Sequence, residues 1–336
     1  MASITKYPKG YRVQININGT RDSGTFRTKR EAEAWGAQRE TEIRANANKT
    51  PGEKHTLGEA LGKYGEEIST THRGVRWEQI RIAAFLRDRD LPMDAPIGTL
   101  TTERIGEWRD ARLRTVSPGT VLREIGLLSA VLETARREWR WIEKNPIKDV
   151  RKPRAPDHRD VIITRSQVRT IIRAMGYKTK GKIETVSQSV AVSFLLALRT
   201  GMRAGELCKL TWDDLRNGYC ILKVTKTKPR NVPLTPKALR LIQRMRGFDQ
   251  ASVFGLKPQT LDALFRKYRE RAGLSGFTFH DSRHTAATWI AARMGSSGVP
   301  AQQAVMDLCK MFGWSNMSQA LTYYNPKAED IAKRIS

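Results

Sequence analysis

A proline-rich, basic segment divides this sequence and limits what it can fold into. Asn145-Pro146, Pro153 and Pro156 stand among five lysines and arginines between positions 145 and 159. Proline lacks a backbone amide hydrogen and breaks helices, so no regular helix is expected to run through this stretch. With 336 residues, the chain is also longer than one hydrophobic core usually serves. We therefore predict that the segment links separately folded domains.

The first fifty residues have the pattern of a small sheet with one helix. Apolar and polar residues alternate, as in a half-buried strand, along Tyr11, Arg12, Val13, Gln14, Ile15, Asn16, Ile17 and Asn18. A turn at Asn18-Gly19 leads to a second strand, and a Thr28/Glu31 capping box opens a helix. Residues 1–50 are predicted to form a three-stranded sheet packed on that helix. The polar strand face suits a DNA major groove, and a purely structural subdomain is the alternative.

Residues 56–150 are predicted to form a helical bundle. They follow a polar stretch, 45–54, that holds Pro51-Gly52 and is predicted to be a second linker. Apolar residues then repeat at helical intervals in four segments, which are 57–68, 75–87, 102–114 and a longer one that starts at 118. The leucine, methionine and tryptophan side chains of these helices are expected to form the core of the bundle.

The charge of the chain indicates a polyanionic partner. Of the formal net charge of +26, residues 156–336 carry +17, from 30 basic and 13 acidic side chains. This excess is more typical of a nucleic-acid-binding protein than of a merely solvated surface. Because lysine and arginine displace counterions when they contact phosphate, binding is expected to weaken steeply with salt.

The cysteines and the apolar segments indicate the compartment. Cys208, Cys220 and Cys309 lie far apart without a Cys-X-X-Cys pair, and are expected to be free thiols in a reducing environment. The N-terminus lacks the apolar region of a signal peptide, and the longest apolar run, 190–198, is too short to span a bilayer. We therefore expect a cytoplasmic protein with no membrane partner.

A glycine and an Arg-Glu pair follow that apolar run. Gly201 can end a helix in a left-handed conformation, which places Arg203 at the start of the next helix with Glu206 one turn later. An arginine there can hold two phosphate oxygens while a carboxylate fixes its position. Taken alone, such a pair is more often a surface ion pair.

A basic hairpin is predicted over residues 219–234. Its turn, Lys226-Thr227-Lys228-Pro229-Arg230, is expected to project two amines and a guanidinium. Basic hairpin tips are common and usually only solvated. A lysine held over a phosphate can, however, protonate a leaving oxygen.

Two histidines and an arginine share one face of a predicted helix that continues through Trp289. His280, Arg283 and His284 stand at positions i, i+3 and i+4. Paired histidines at this spacing can chelate zinc, but Asp281 stands where a metalloprotease needs glutamate, and no convincing third ligand follows. No metal and no cofactor are therefore predicted.

The last cluster completes an ordered series. Gly313-Trp314-Ser315 is followed by Tyr323 nine residues after the tryptophan, and by Tyr324. Arginine, hairpin lysine, His-X-X-Arg, Gly-Trp and tyrosine in this order and spacing resemble the tyrosine recombinase family, and specifically phage-type integrases. The resemblance covers the whole chain. It implies a multidomain, mainly α fold with a sheet-plus-helix arm-site-binding domain (1–50), a helical core-binding domain (56–150) and a mixed α/β, mostly α catalytic domain (160–336).

The resemblance also implies a mechanism. Tyr323 would attack the scissile phosphate and leave a 3′-phosphotyrosine and a free 5′-hydroxyl, so no ATP is required. The other implied site residues are Arg203 and Arg283 on the non-bridging oxygens, His280 as proton acceptor or relay, Lys226 as general acid, Trp314 as an N–H donor and packing residue, and Glu206 and His284 in support. Lys228 is the alternative acid because the turn is shorter than usual in the family, and Tyr324 is the alternative nucleophile.

The implied partners follow from the same resemblance. The protein would integrate and excise a phage or mobile element as a homotetramer on double-stranded DNA, at core and arm attachment sites. A host DNA-bending protein and an excisionase are further implied partners, and the implied location is the nucleoid of a bacterial host. A short helix near 328–335 would dock on a neighbouring subunit.

Other classes share some of these features. A type IB topoisomerase would use the same chemistry, but the separate N-terminal and helical blocks argue against it. A non-enzymatic DNA-binding regulator would share the charge without needing these residues in this order. A serine recombinase would need a nucleophilic serine near the N-terminus. A metal-dependent transposase would need a cluster of carboxylates, and the sequence shows neither feature.

Overall fold

The computed structural model describes residues 2–17, 19–47, 49–156, 161–223 and 229–324. The chain divides into two compact units, Met1–Asp157 and His158–Ser336. Among these residues most elements are helices and each unit has one small sheet, so the predicted mainly α, multidomain fold class is confirmed. In the described ranges, no helix is both long enough and apolar enough to cross a membrane.

The N-terminal sheet is antiparallel and packs on one helix. Its elements, in chain order, are β1 (Ser3–Tyr7), β2 (Gly10–Ile17), β3 (Thr20–Phe26) and α1 (Lys29–Ala47), with β2 in the middle of the sheet. Val13 and Ile15 are buried with residues of α1 in a hydrophobic core of their own. The predicted capping box is present, since the Glu31 carboxylate accepts from the Thr28 amide at 3.1 Å and the Glu31 amide donates to the Thr28 hydroxyl at 3.2 Å.

The other face of this sheet is exposed and polar. Strand register pairs its side chains in rows, which are Thr5, Arg12 and Thr25; Ser3, Gln14 and Ser23; and Asn16 with Arg21. None of these described positions is acidic. Asp22 lies on the opposite face, where its carboxylate accepts from Arg39 Nε at 2.7 Å. The exposed face therefore offers hydrogen-bonding groups and two positive charges.

The next block is helical, as the spacing of its apolar residues predicted for every one of its described helices except the short one at Pro51–Lys54. Its helices are α2 (Pro51–Lys54), α3 (Leu57–Glu67), α4 (Val75–Phe85), α5 (Thr102–Leu113) and α6 (Pro118–Arg137). Their apolar faces enclose a core that contains Trp108, which is 1% exposed. The expectation that the tryptophans are core residues is wrong for Trp77, which is 41% exposed on α4.

Both predicted linkers are more structured than expected. Pro51 occupies the first position of α2, where proline is tolerated because its missing N–H has no helical partner. Gly52 packs so closely on Gly98 that a Cβ would lie 3.1 Å from the Gly98 Cα. In the second linker, Ile147 and Val150 are buried in the core of the helical block. Each segment therefore contains apolar contacts that its proline and charge content concealed.

The C-terminal unit is built around one buried helix. Its elements are α7 (Arg165–Ala174), α8 (Val186–Thr200), α9 (Ala204–Cys208), β4 (Leu215–Arg216), β5 (Tyr219–Leu222), β6 (Arg230–Pro233), α10 (Pro236–Gln243), α11 (Pro258–Arg271), α12 (Asp281–Ser296), α13 (Ala301–Phe312) and α14 (Met317–Leu321). The apolar run of 190–198 is the buried part of α8. Strand β4 was not predicted, because two residues are too short to leave a periodic pattern.

Candidate active site

Helix α8 ends at a glycine that brings Arg203 into position. Gly201 has a left-handed backbone with φ of +66°, and a Cβ there would lie 2.2 Å from the Phe312 ring. Both the conformation and the space therefore require glycine. Two residues later, the Arg203 amide donates to Glu206 Oε2 at 2.8 Å and Arg203 Nη1 donates to Oε1 at 2.9 Å. Arg203 and Glu206 thus form the predicted pair, with Glu206 buried.

A second arginine, Arg230, also binds the Glu206 carboxylate, which was not predicted from the sequence. Arg230 was predicted to project from the hairpin turn, and this is wrong, because its side chain is 6% exposed. Its Nη1 and Nη2 each donate to one oxygen of Glu206 at 2.8 Å, and its Nε donates to the Met311 carbonyl at 3.0 Å. The signal in the sequence was the alternation with Val232, which places both side chains on the buried face of β6.

Arg283 is buried between the ends of two helices. Its Nη1 donates to the Gly201 carbonyl at 2.7 Å and its Nη2 to the Phe312 carbonyl at 2.6 Å. Carbonyl groups at helix C-termini carry partial negative charge, which suits a guanidinium. Burial, and then the positive charge of Arg203, lowers the pKa of Arg283 to about 9. An anion bound beside Arg283 would oppose this shift.

Arg203 and Arg230 both bind the Glu206 carboxylate, whose negative charge also acts on Arg283. Burial by itself would raise the pKa of Glu206, but hydrogen bonds from Arg230 and Arg203 outweigh it and hold that pKa below the ordinary value. Glu206 is therefore ionised at neutral pH, and the cluster keeps an excess of positive charge. Such an arrangement can stabilise an oxyanion that gains charge during a reaction.

One of the two predicted histidines contacts the predicted nucleophile, and the other lies beside the first. The Nδ1 atom of His284 is hydrogen-bonded to the Tyr323 hydroxyl. The His280 ring lies edge-on to the His284 ring, with centroids 5.5 Å apart. His280 stands immediately before α12, which carries His284 and Arg283. The residue predicted only to support the site, His284, is thus a direct partner of the tyrosine.

Trp314 forms one wall around the tyrosine. Its ring stacks on Tyr323 with centroids 5.3 Å apart and planes 3° apart, and on Phe312 at 4.6 Å. Gly313, which ends α13 with φ of +65°, turns the chain between the two aromatic residues. Tyr324 is half-buried against the same apolar cluster. Stacking therefore fixes the plane of the Tyr323 ring.

Some of the predicted positions are not described by the structure. Lys226 and Lys228 lie outside the described residues, as does the segment near 328–335.

The cysteines and the acidic side chains offer no further chemistry in the part of the chain that the structure describes. Burial raises the pKa of the Cys208 thiol to about 11 and that of Cys220 to about 12, so both are protonated and unreactive at neutral pH. Among the described residues, no cluster of histidine, cysteine, aspartate and glutamate could hold a metal ion.

Comparisons with known proteins show the family of this chain. The model of the phage integrase family matches residues 161–330. A Haemophilus influenzae protein, named provisionally as an integrase/recombinase, is 33% identical over 97% of this chain and 88% of its own length. The shufflon-specific DNA recombinase of Escherichia coli is 29% identical over 84% of this chain and 72% of its own length.

Solved structures show the same fold. Lambda integrase, as a dimer bound to a COC′ core site, superposes with a TM-score of 0.67 and 18% identity over 96% of this chain and 94% of that one. As a tetramer bound to a Holliday junction, it gives a TM-score of 0.64 and 20% identity over 95% and 94%. From the family match and the Haemophilus relative, the chain belongs to the phage integrase family and is a tyrosine recombinase.

Proposed function

We propose that this enzyme cleaves and rejoins DNA at specific sites with Tyr323 as the nucleophile, and so integrates and excises a phage or mobile element. The observation that carries the proposal is the position of the Tyr323 hydroxyl, hydrogen-bonded to His284 beside the arginine cluster. Attack on the scissile phosphate forms a 3′-phosphotyrosine and releases a 5′-hydroxyl. The 5′-hydroxyl of a partner strand reverses the step, which conserves the bond energy.

The arginine cluster is the proposed binding site for the scissile phosphate. Arg203 and Arg283 donate to the non-bridging oxygens, where negative charge grows in the transition state. Both side chains are already held by neighbours, so little reorganisation is needed when the phosphate binds. Glu206 positions Arg203, and Trp314 holds the tyrosine ring and offers an indole N–H.

The histidine pair is the proposed proton acceptor for the nucleophile. A phenol of pKa about 10 attacks poorly at neutral pH unless a base takes its proton. His284 holds the hydroxyl in the DNA-free enzyme, and His280, the base predicted from the sequence, accepts or relays the proton when the phosphate is bound. The support for a shared role is the 5.5 Å separation of the two rings. Lys226, or alternatively Lys228, protonates the leaving 5′-oxygen.

We further propose that three domains divide the DNA contacts. Residues 1–50 bind arm sites, residues 56–150 bind the core site, and residues 160–336 cleave and rejoin the strands. The separate hydrophobic cores of the sheet and of the helical block support this division. Four copies assemble on DNA, as lambda integrase does on a Holliday junction. Host bending proteins and an excisionase, in the nucleoid of a bacterial host, complete the proposed partners.

A nicked suicide substrate tests the chemistry. The nick lies just 3′ of the scissile phosphate on the cleaved strand, so the short 5′-hydroxyl fragment diffuses away and the covalent complex accumulates. We expect a protein–DNA adduct joined through the 3′-phosphate, without ATP or added metal. Free, unattached 3′ and 5′ ends that require a divalent cation would contradict the proposal. Exchange of strands between two sites, rather than relaxation of supercoils alone, distinguishes the enzyme from a topoisomerase.

The exposed face of the N-terminal sheet leads us to predict which arginines bind arm-site DNA. Arg12→Ala with Arg21→Ala should weaken arm-site binding at least about tenfold, because a base-edge contact is worth about 1–3 kcal/mol. Cleavage of an isolated core site should be unchanged. Binding is measured in the full-length protein by gel shift at one fixed salt concentration.

The control for this pair removes the same charge from the same domain. Arg30 and Arg44 are exposed on α1 rather than on the sheet. Arg30→Ala with Arg44→Ala should lower arm-site affinity much less. Equal losses from the two pairs would mean that the block contributes only general electrostatic attraction.

A further inference from the structure

Arg230 connects three parts of the active site. It is the first residue of β6, it grips both oxygens of Glu206, and its Nε binds the carbonyl of Met311. The next carbonyl along α13, that of Phe312, accepts from Arg283. The Arg230 side chain therefore connects β6 to Glu206, which binds Arg203. It also connects β6 to the end of α13, where the next carbonyl binds Arg283.

The hydrogen bonds of Glu206 show how Arg230 affects the orientation of that carboxylate. Arg203 makes one side-chain hydrogen bond to Glu206, through Oε1, whereas Arg230 binds both oxygens in parallel. A bidentate pair fixes the plane of a carboxylate, which a single hydrogen bond does not. The Arg203 amide also donates to Oε2, so the orientation of Glu206, and with it the place of the Arg203 guanidinium, depends on Arg230 together with that backbone hydrogen bond.

The space around Arg230 is also restricted. A Cβ added at Gly313 would lie 3.0 Å from the Arg230 Cδ. The stem of Arg230 therefore fills the turn between α13 and Trp314, and the side chain has little freedom to move. A lysine would keep the charge, but its single ammonium group cannot reproduce the planar fork and the third bond to Met311.

We propose that Arg230 is a positioning residue of the active site, which orients Glu206 and thereby holds Arg203 against the scissile phosphate. The inference rests on the proposed function, in which Arg203 stabilises the charge of the transition state. The Arg230 side chain is buried, so it is assigned no direct contact with the substrate. Its effect passes through Glu206.

The main test compares rates of adduct formation at saturating DNA. Arg230→Lys should lower the rate about 10- to 100-fold, the range for a misplaced catalytic group, while DNA affinity and the melting temperature change little. A substrate with sulfur in place of the bridging 5′-oxygen should not restore the rate, because sulfur relieves only the need for a general acid. Rescue by sulfur would overturn the proposal, since Arg230 would then act by holding the hairpin lysine.

A double-mutant comparison isolates the path through Glu206. Once Glu206→Gln has removed the carboxylate, Arg230→Gln should cause little further loss of rate. The double variant removes the two opposite charges of the Arg230–Glu206 pair together, so the comparison also serves if Arg230→Lys does not fold. A further tenfold loss in the double variant would show that Arg230 acts independently of Glu206, and the proposal would be wrong.

A matched control is available in the same small sheet. Arg216 on β4 is exposed and donates to the carbonyls of Asp213 and Leu215. Arg216→Lys should form adduct at the wild-type rate, and an equal loss at both positions would also overturn the proposal. An active wild type with an unaffected Arg230→Lys would refute this inference alone. A wild type that forms no adduct would instead refute the proposed function.

Discussion

Tyr323→Phe should abolish covalent attachment to DNA, the largest effect expected for a single substitution in this chain. The change removes the attacking oxygen and its hydrogen bond to His284, but keeps the ring that stacks on Trp314. The variant should therefore fold and bind core-site DNA as the wild type does. Denaturing gel electrophoresis of the nicked suicide substrate measures the adduct, and a gel shift measures binding.

The adjacent tyrosine is the natural control for this experiment. Tyr324 packs in the same apolar cluster, so Tyr324→Phe removes a hydroxyl of the same type from the neighbouring position. Adduct should still form with Tyr324→Phe. Adduct from Tyr323→Phe, together with none from Tyr324→Phe, would transfer the nucleophile to Tyr324.

Lys226→Ala should slow cleavage of ordinary DNA by roughly 10²–10⁴-fold, the range for loss of a general acid. The departing alkoxide is strongly basic and needs a proton as the bond breaks. A thiol has a pKa of about 8.5 and leaves without one. The variant should thus recover on DNA that carries sulfur at the bridging 5′ position, and the measurement is the rate of adduct formation on both substrates.

Two further variants make this result specific. Arg203→Ala should stay slow on the sulfur substrate, because charge on the non-bridging oxygens remains uncompensated. Lys228→Ala should behave like the wild type on ordinary DNA if Lys226 is the acid. Sulfur rescue of Lys228→Ala, and none of Lys226→Ala, would assign the acid to Lys228.

Local signals in the sequence were enough to predict most elements and the order of the site residues. The Thr28/Glu31 capping box, the alternation around Val13 and the periodicity after Pro118 each depend on neighbours a few residues apart. Gly201 is another such case, since a left-handed C-cap is a property of the helix end itself. These features were predictable because backbone geometry and side-chain spacing alone produce them.

The linkers show what local composition leaves undecided. Prolines and charges around Pro51 and Pro146 predicted linkers, and the boundary between the two compact units does fall in the second one, but Gly52, Ile147 and Val150 make contacts within the helical block. Those contacts join residues more than ten positions apart. Composition carries no information about which distant surface a short apolar segment will meet.

The same limit applies to the active site. Arg203, Glu206, Arg283, Trp314 and Tyr323 could be predicted as one site from the sequence, because their types and spacing resemble those of a known family. The burial of Arg230 on Glu206 and the contact of His284 with the tyrosine became evident from the fold alone. The physical reason is that a charged side chain is solvated by default, and becomes a buried partner only where folding brings an opposite charge from 24 residues away within hydrogen-bond distance.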